Sequence, residues 1–337
     1  MRRNFLTIAR SVLARRLRSG ARLALLGVSL ILATATAGAQ SQEPIDTIKI
    51  DTNLISVPVI VSDRDNHYVP NLKVEAFRLL DNQAEQKIAF FDAGEEPLNV
   101  VLMLDTSLST SGVLDDIRKA AKAFLKELRP QDRAMIVTFD WQEQKLSPLT
   151  SNRKELESGI KQARVGKMAG TVLYDSLTDV NTRVLQPIRG RKAIILLSDG
   201  NDHGSALTAE ETLKSESEAD AMIYSIYYRP EAIRFLGRPH YPLMQMPGRR
   251  GRGRRPFGTE GFDVMQQLSE VTGGRFYQGE TKDLKDTFTL IAEELRHQYR
   301  LGFYPDELKR DGSVHALQVK VNLPDLSVRS RREYVAK

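Results

Sequence analysis

The chain of 337 residues contains no cysteine, one tryptophan and five histidines. Without cysteine there are no disulfides, thiolate metal sites, cysteine nucleophiles or lipid-modified cysteine after a leader. The histidines, His67, His203, His240, His297 and His315, are scattered and form no pair at metal-ligand spacing. Only His203, in the loop Asn201-Asp202-His203-Gly204, lies near the chemistry-bearing segments, and a solvated loop histidine is the plainer reading of it. After Gln40 no apolar run approaches the length needed to span a bilayer. A glycine-rich phosphate loop is missing as well, because the glycines around Arg250 follow no strand.

Positive charge is less general than the net value of +6 suggests. Seven arginines and no acids precede Gln40, which leaves 42 basic and 43 acidic residues after Ala39. Eight arginines and two glutamates then crowd between Arg229 and Gly261. The body is therefore acidic with one basic Arg/Gly/Pro insert, and nucleic acid is not the expected partner. Tyr241 and Phe257 are too few aromatics for base stacking, and five prolines in that insert argue for a solvated segment, not a packed one.

The first 39 residues read as an export signal: an arginine-rich start, an apolar stretch from Leu23 to Ala39, and the small-residue end Ala37-Gly38-Ala39. Arg2-Arg3-Asn4-Phe5-Leu6 resembles a twin-arginine signal but stands far from the apolar stretch, so the general secretory route and the twin-arginine route both stay open. Cleavage before Gln40 is expected over retention as an anchor, which leaves an exported protein, periplasmic or secreted, with no stable membrane span.

Four segments follow from the pattern. Residues 1–39 are the signal and 40–96 an N-terminal β-strand segment. Residues 97–297 form a central α/β domain interrupted by the insert 229–261, and 298–337 a C-terminal β segment. The first β segment is read at Ile48–Ile50, Leu54–Val61, Val74–Leu80 and Lys87–Phe91, with turns at Asp63–Asn66 and Asp81-Asn82. Four strands are too few for a sandwich, so Tyr299–Tyr304, Ala316–Val321 and Ser327–Arg329 are expected to share a β module with them. In between, strands at Asn99–Leu104, Ala134–Phe139, Ala193–Leu197, Met222–Tyr227 and Arg275–Tyr277 alternate with helices. The helices are read at Gly112–Leu128, Lys154–Ala163, Leu173–Val184, Ala209–Ala219, Phe262–Val271 and Asp283–Arg296. That alternation predicts a doubly wound, mostly parallel sheet covered on both faces.

Chemistry concentrates at strand ends. Asp105-Thr106-Ser107-Leu108-Ser109 follows the apolar run Val100–Leu104, so a carboxylate and two hydroxyls converge where open α/β sheets bind ligands. Gly170-Thr171 precedes a helix, and Ser198-Asp199-Gly200 ends a second apolar strand. Several oxygens in one small volume suit a hard divalent cation. Singly, each residue has a plain alternative: Ser109, Thr110 and Ser111 are good helix caps, and Asp199-Gly200 is an ordinary turn. Apolar-apolar-Asp-Thr-Ser is also found in the active-site turn of aspartic proteases. Here, however, a helix follows and no second such turn exists. A haloacid-dehalogenase-like phosphatase needs a second aspartate where this chain has Ser107.

Asp-x-Ser-x-Ser, a later threonine and an aspartate after a further strand together resemble the metal-ion-dependent adhesion site of von Willebrand factor type A domains, over Leu98 to about Glu294. The whole layout is similar to exported acidobacterial proteins related to that family, through Leu54–Val61, Phe90–Asp105, Tyr299–Tyr304 and Arg332-Glu333-Tyr334. The resemblance implies a Rossmann-like fold and a metal held by Asp105, Ser107, Ser109, Thr171 and Asp199. Mg2+ comes first among Mg2+, Mn2+ and Ca2+. It further implies one open position for the acidic residue of a protein partner, hence a binding protein and not an enzyme. A metal-assisted hydrolase is the competing reading. It requires a general base, for which Asp202 and His203 are the only nearby candidates.

Overall fold

The computed structural model describes residues 54–228, 260–279, 283–305 and 311–336. The expected signal at 1–39, the strand at Ile48–Ile50 and nearly all of the 229–261 insert lie outside the described residues.

Four strands open the described chain: β1 (Ile55–Ser62), β2 (Phe77–Asp81), β3 (Ala84–Gln86) and β4 (Phe90–Asp92). Asp63 closes the turn after β1, its Oδ1 accepting from the amides of Asp65 and His67 at 2.9 and 2.8 Å. The expected strand from Val74 is shorter at its start, since Val74–Ala76 forms a 3-10 turn before β2.

The central domain runs β5 (Leu98–Asp105), α1 (Leu114–Glu127), β6 (Arg133–Phe139), β7 (Glu143–Lys145), α2 (Arg153–Gln162), α3 (Leu173–Asp179), β8 (Arg191–Ser198), α4 (Ala209–Ser217), β9 (Met222–Tyr228), α5 (Glu260–Thr272), β10 (Phe276–Gly279) and α6 (Leu284–Arg296). Local chemistry marks the starts. Asn152 accepts from the amides of Lys154 and Glu155 ahead of α2, and Thr208 with Glu211 forms a reciprocal capping box on α4.

These strands form one six-stranded sheet in the order β10-β9-β8-β5-β6-β7, parallel except for β7. Successive residues of β5 feed opposite faces. Val100, Leu102 and Leu104 join the core under α1, α2 and α6, while Val101 and Met103 join the core under α3, α4 and α5. A strand buried on both sides must read as a continuous apolar run, which is why Val100–Leu104 does.

One expected helix is divided. Leu173–Val184 was expected as a single helix, but α3 stops at Asp179 and a π-helical turn occupies Val180–Leu185. The wider turn accompanies a buried contact in which Asn181 Nδ2 donates to Glu216 Oε2 at 2.7 Å.

After α6 the chain returns through β11 (Tyr299–Phe303), β12 (Val314–Val321), β13 (Ser327–Ser330) and β14 (Glu333–Val335). The N- and C-terminal strands interleave in two four-stranded sheets, β13-β1-β11-β4 and β14-β12-β2-β3. Val57 and Val59 pair with Leu301 and Tyr299, while Leu79 pairs with Val319. Their inward faces make a third apolar core that also includes Phe77, Phe303, Leu317 and Tyr334.

The β module packs on the central domain through buried arginines. Arg191 of β8 donates to the carbonyl of Glu96 in the N-terminal segment and, within the domain, to that of Leu295, both at 2.7 Å, while Arg331 after β13 donates to Ala219 O at 3.1 Å. Burial lowers the affinity of both guanidiniums for their proton, Arg331 to a value of about 10. Gly273, with φ of +77°, passes so close to Ser330 and Arg331 that a Cβ there would lie 2.5 Å from Ser330 C.

Candidate metal centre

The sheet order reverses between β5 and β8, since β6 follows β5 on one side while β8, β9 and β10 extend from the other. Ligand crevices of open α/β sheets form at such a switch point, beyond the carboxyl ends of the strands. Asp105 ends β5, and Asp199 follows the last residue of β8. Pairing of Leu104 with Leu197 sets Ser198 level with Asp105 and Asp199 one residue beyond.

Asp105 has no exposed surface. Its Oδ1 accepts from the Ser107 amide at 2.8 Å, and its Oδ2 from the Ser198 hydroxyl at 2.7 Å. The Ser107 and Ser109 hydroxyls lie 2.9 Å apart. Burial, and then the charge of Asp199, push the Asp105 carboxyl up to about 6. The Tyr228 hydroxyl, at the end of β9, is held well above its usual range by burial and by the same two aspartates.

Four loops are tied together around this pair. The Thr106 amide donates to Phe139 O at 2.9 Å and the Gly166 amide to Thr106 O at 2.7 Å. The Val172 amide donates to Asp140 O at 2.8 Å and the His203 amide to Thr171 O at 3.0 Å. Thr171, itself buried, is therefore held on the loop between the β6 end and the Asp199 loop. The structure thus places Asp105, Ser107, Ser109, Thr171 and Asp199 on one rim of the sheet.

Two buried carboxylates beside each other are unfavourable without a compensating cation. Among the described residues, neither Asp105 nor Asp199 has a Lys, Arg or His partner at ion-pair distance. Carboxylates and hydroxyls are also the hard oxygen donors that Mg2+, Mn2+ or Ca2+ accepts. The residues present fit a divalent cation.

The rim carries apolar side chains as well. Leu108, Trp141 and Met168 stand on three of these loops and are 50, 43 and 54% exposed. Trp141 packs beside the Thr171 loop, with its Cβ 3.3 Å from where a Cβ on Gly170 would stand.

Of the two candidate bases, Asp202 is engaged within its own loop. Asp202 Oδ2 accepts from the Tyr174 amide and the Ser205 hydroxyl, and its Oδ1 from the amides of Gly204 and Ser205, so the carboxylate holds its loop and the start of α3. His203 is exposed and joins the site through its amide alone among the contacts described.

Two constellations outside the sequence reading resemble sites. Asp63, Asp65 and His67 offer three ligand atoms within 4.8 Å of one another, but in the exposed turn after β1, far in sequence from the expected site. In the β module, Ser313 Oγ, His315 and Asp81 line up, with His315 Nε2 at 3.2 Å from the hydroxyl and Nδ1 at 2.9 Å from the carboxylate. This has the order of a nucleophilic triad. However, the Gly312 amide donates to Ala336 O and the Ser313 amide to Asp311 Oδ1, so neither is free to stabilise an oxyanion.

Ser198 and Tyr228 are contributors that the sequence did not reveal. Ser198 stood next to the recognised aspartate, but nothing in its spacing announced a bond to Asp105. Tyr228 carries no motif at all, and its place follows from strand order.

Residues 100–201 match the family model of the von Willebrand factor type A domain, and the central sheet with its covering helices has the mixed α/β fold that this match implies. Among solved structures the chain is similar to BatB from Bacteroides thetaiotaomicron, with 17% identity over 59% of this chain and 97% of that one and a TM-score of 0.43. It is also similar to the vWF domain of the type V pili tip protein Mfa5 from Porphyromonas gingivalis, at 14% identity over 59% of this chain and 94% of that one, TM-score 0.42. Proximal thread matrix protein 1 from the mussel byssus, in a form with a zinc-occupied MIDAS motif, matches at 14% identity over 59% of this chain and 48% of that one, TM-score 0.42. Comparison with curated protein sequences gives no match.

Proposed function

We propose that this is an exported binding protein that holds one divalent cation, Mg2+ first, through Asp105, Ser107, Ser109, Thr171 and Asp199. The cation captures a protein partner through a carboxylate. The observation that carries this reading is the buried Asp105–Asp199 pair, beside the linked Ser107 and Ser109 hydroxyls and with no cationic side chain against it among the described residues. Five oxygens from the chain leave one position of an octahedral shell open, and an Asp or Glu of the partner is a natural last ligand. Leu108, Trp141 and Met168 around the rim supply apolar area of the kind that surrounds a buried charged contact in protein interfaces. Export rests on the residue pattern before Gln40, and the domain boundaries on the segments set out above.

Titration calorimetry with Mg2+ and Mn2+ on the chain from Gln40 tests the site. One binding event is expected, and Thr171→Ala and Ser109→Ala should each weaken it by roughly tenfold or more. Unaltered affinity in both variants would refute the ligand assignment. The partner reading is tested separately, by whether a chelator releases proteins that co-purify with the chain from Gln40 but not with Thr171→Ala.

A further inference from the structure

A cleft of about 610 Å³ opens between α1 and the end of α2, and its lining is almost entirely cationic: Arg118, Lys119, Lys122, Lys161 and Arg164, with Asp115 the sole acid. None of these residues belongs to the metal rim. Compensation is incomplete. Asp115 is taken by Arg118 Nη1 at 2.7 Å, and Lys119 is paired with Asp116 at 3.0 Å. Lys122, Lys161 and Arg164 have no acidic partner among the described residues.

Two guanidiniums are drawn to one oxygen. Arg118 Nη2 and Arg164 Nη1 both donate to Ala163 O, just past the end of α2. That carbonyl satisfies hydrogen bonds but does not cancel charge. Arg118 also keeps a buried Nε with no partner among the described residues. Cation crowding of this kind is unfavourable when empty, and a concave wall focuses the field that results. Guanidinium pairs suit the planar oxygen edges of phosphate, and lysines add point charge around it.

We infer that the α1–α2 cleft is a binding site for a multiply charged phosphate-bearing ligand. The bland alternative, that Arg164 merely caps α2 and Arg118 merely salt-bridges along α1, leaves Lys122 and Lys161 unexplained on the facing walls. The ligand's phosphate could belong to a soluble polyphosphate or to a lipid headgroup. The concave shape accepts either through the same contacts.

The test is calorimetric titration of pyrophosphate into the chain from Gln40 in metal-free buffer, with sodium sulfate at equal ionic strength as comparator. One saturable site is expected, with Lys122→Glu/Lys161→Glu weakening it roughly tenfold or more and Lys214→Glu on α4, an exposed lysine elsewhere, leaving it unchanged. Circular dichroism melts of each variant show whether the fold survives, and Lys122→Gln/Lys161→Gln, which removes charge without reversing it, replaces the double reversal if that unfolds. Vesicles of phosphatidylcholine with and without phosphatidic acid, a lipid with a phosphomonoester headgroup, identify the source. Binding to either phosphate source that the double variant loses upholds the site. No saturable binding to either phosphate source, binding matched by sulfate, or equal loss in Lys214→Glu overturns it.

Discussion

Tyr224 of β9 donates its hydroxyl to Glu294 of α6 at 2.7 Å, at the point where the central domain meets the β module. Glu294 is fully buried and collects partners from both sides. Tyr68, from the segment after β1, donates to its Oε2 at 2.9 Å, Arg329 of β13 donates to its Oε1, and Arg275 Nε stands 3.3 Å from Oε2. A buried carboxylate is tolerated only when its oxygens are saturated with donors, and here four side chains from distant segments do so. The β module is therefore bolted to the last helix of the domain.

Glu294→Ala should cost about 3–5 kcal/mol, because it strands two guanidiniums and two phenols at once. Urea unfolding followed by circular dichroism measures it. A loss below about 1 kcal/mol would mean that water replaces the carboxylate without penalty.

Gly273→Ala should cost about 2 kcal/mol or more, since φ at +77° disfavours any side chain and the added Cβ would run into the Ser330 and Arg331 backbone. The expected readout is a lower thermal midpoint with faster amide exchange in β13.

Glu216 sets a pH dependence. Complete burial pushes its carboxyl from 4.5 up to about 8, only partly opposed by the Asn181 hydrogen bond. The folded chain therefore binds a proton that the unfolded chain has released, so this group's contribution falls as pH rises from about 4.5 to about 8 and is flat beyond. Glu216→Gln, which keeps the shape without the charge, should match the parent at pH 4 and exceed it at pH 8.5 by about 3–5 kcal/mol. Denaturant midpoints at the two pH values decide this, and an advantage that does not grow with pH would show Glu216 to be ionised in the fold.

Trp141 is the chain's single tryptophan, so its emission reports on the rim without interference. Half exposed and packed beside Gly170, it should change its emission as Mg2+ or Mn2+ orders the Thr171 loop. Thr171→Ala should abolish that change, while Asp81→Asn, a substitution in the β module, should leave it intact. An identical spectral change in Thr171→Ala would separate the tryptophan from the metal.

Asp81→Asn should instead weaken the module. Asp81 joins β2 to β12 and β14 by accepting from Tyr334 OH at 2.7 Å and contacting His315 Nδ1 at 2.9 Å. Loss of about 1–3 kcal/mol is expected in a thermal or urea melt.

Sequence by itself determined the elements and the order of donor residues. A run such as Val100–Leu104 reads as a strand buried on both faces, and its alternation with amphipathic helices points to a doubly wound sheet. Pro130 and Gly273-Gly274 stop helices that end at Glu127 and Thr272, because they act on their own turn of backbone. The expectation that both chain ends share a β module was also legible, since neither has strands enough to cover an apolar face.

Tertiary structure decided what pairs with what. Only the strand order sets β8 beside β5, so that Asp199 stands near Asp105, Ser198 reaches its Oδ2 and the buried Tyr228 hydroxyl feels the charge of both. The two-sheet arrangement of the module, the Glu294 junction and the cationic cleft of α1 and α2 likewise join residues with no periodic relation. The physical reason is range. Hydrophobic period, caps and turn residues act over a few positions. Burial energy and electrostatic fields depend on which surfaces meet, and that is specified only once the chain has closed on itself.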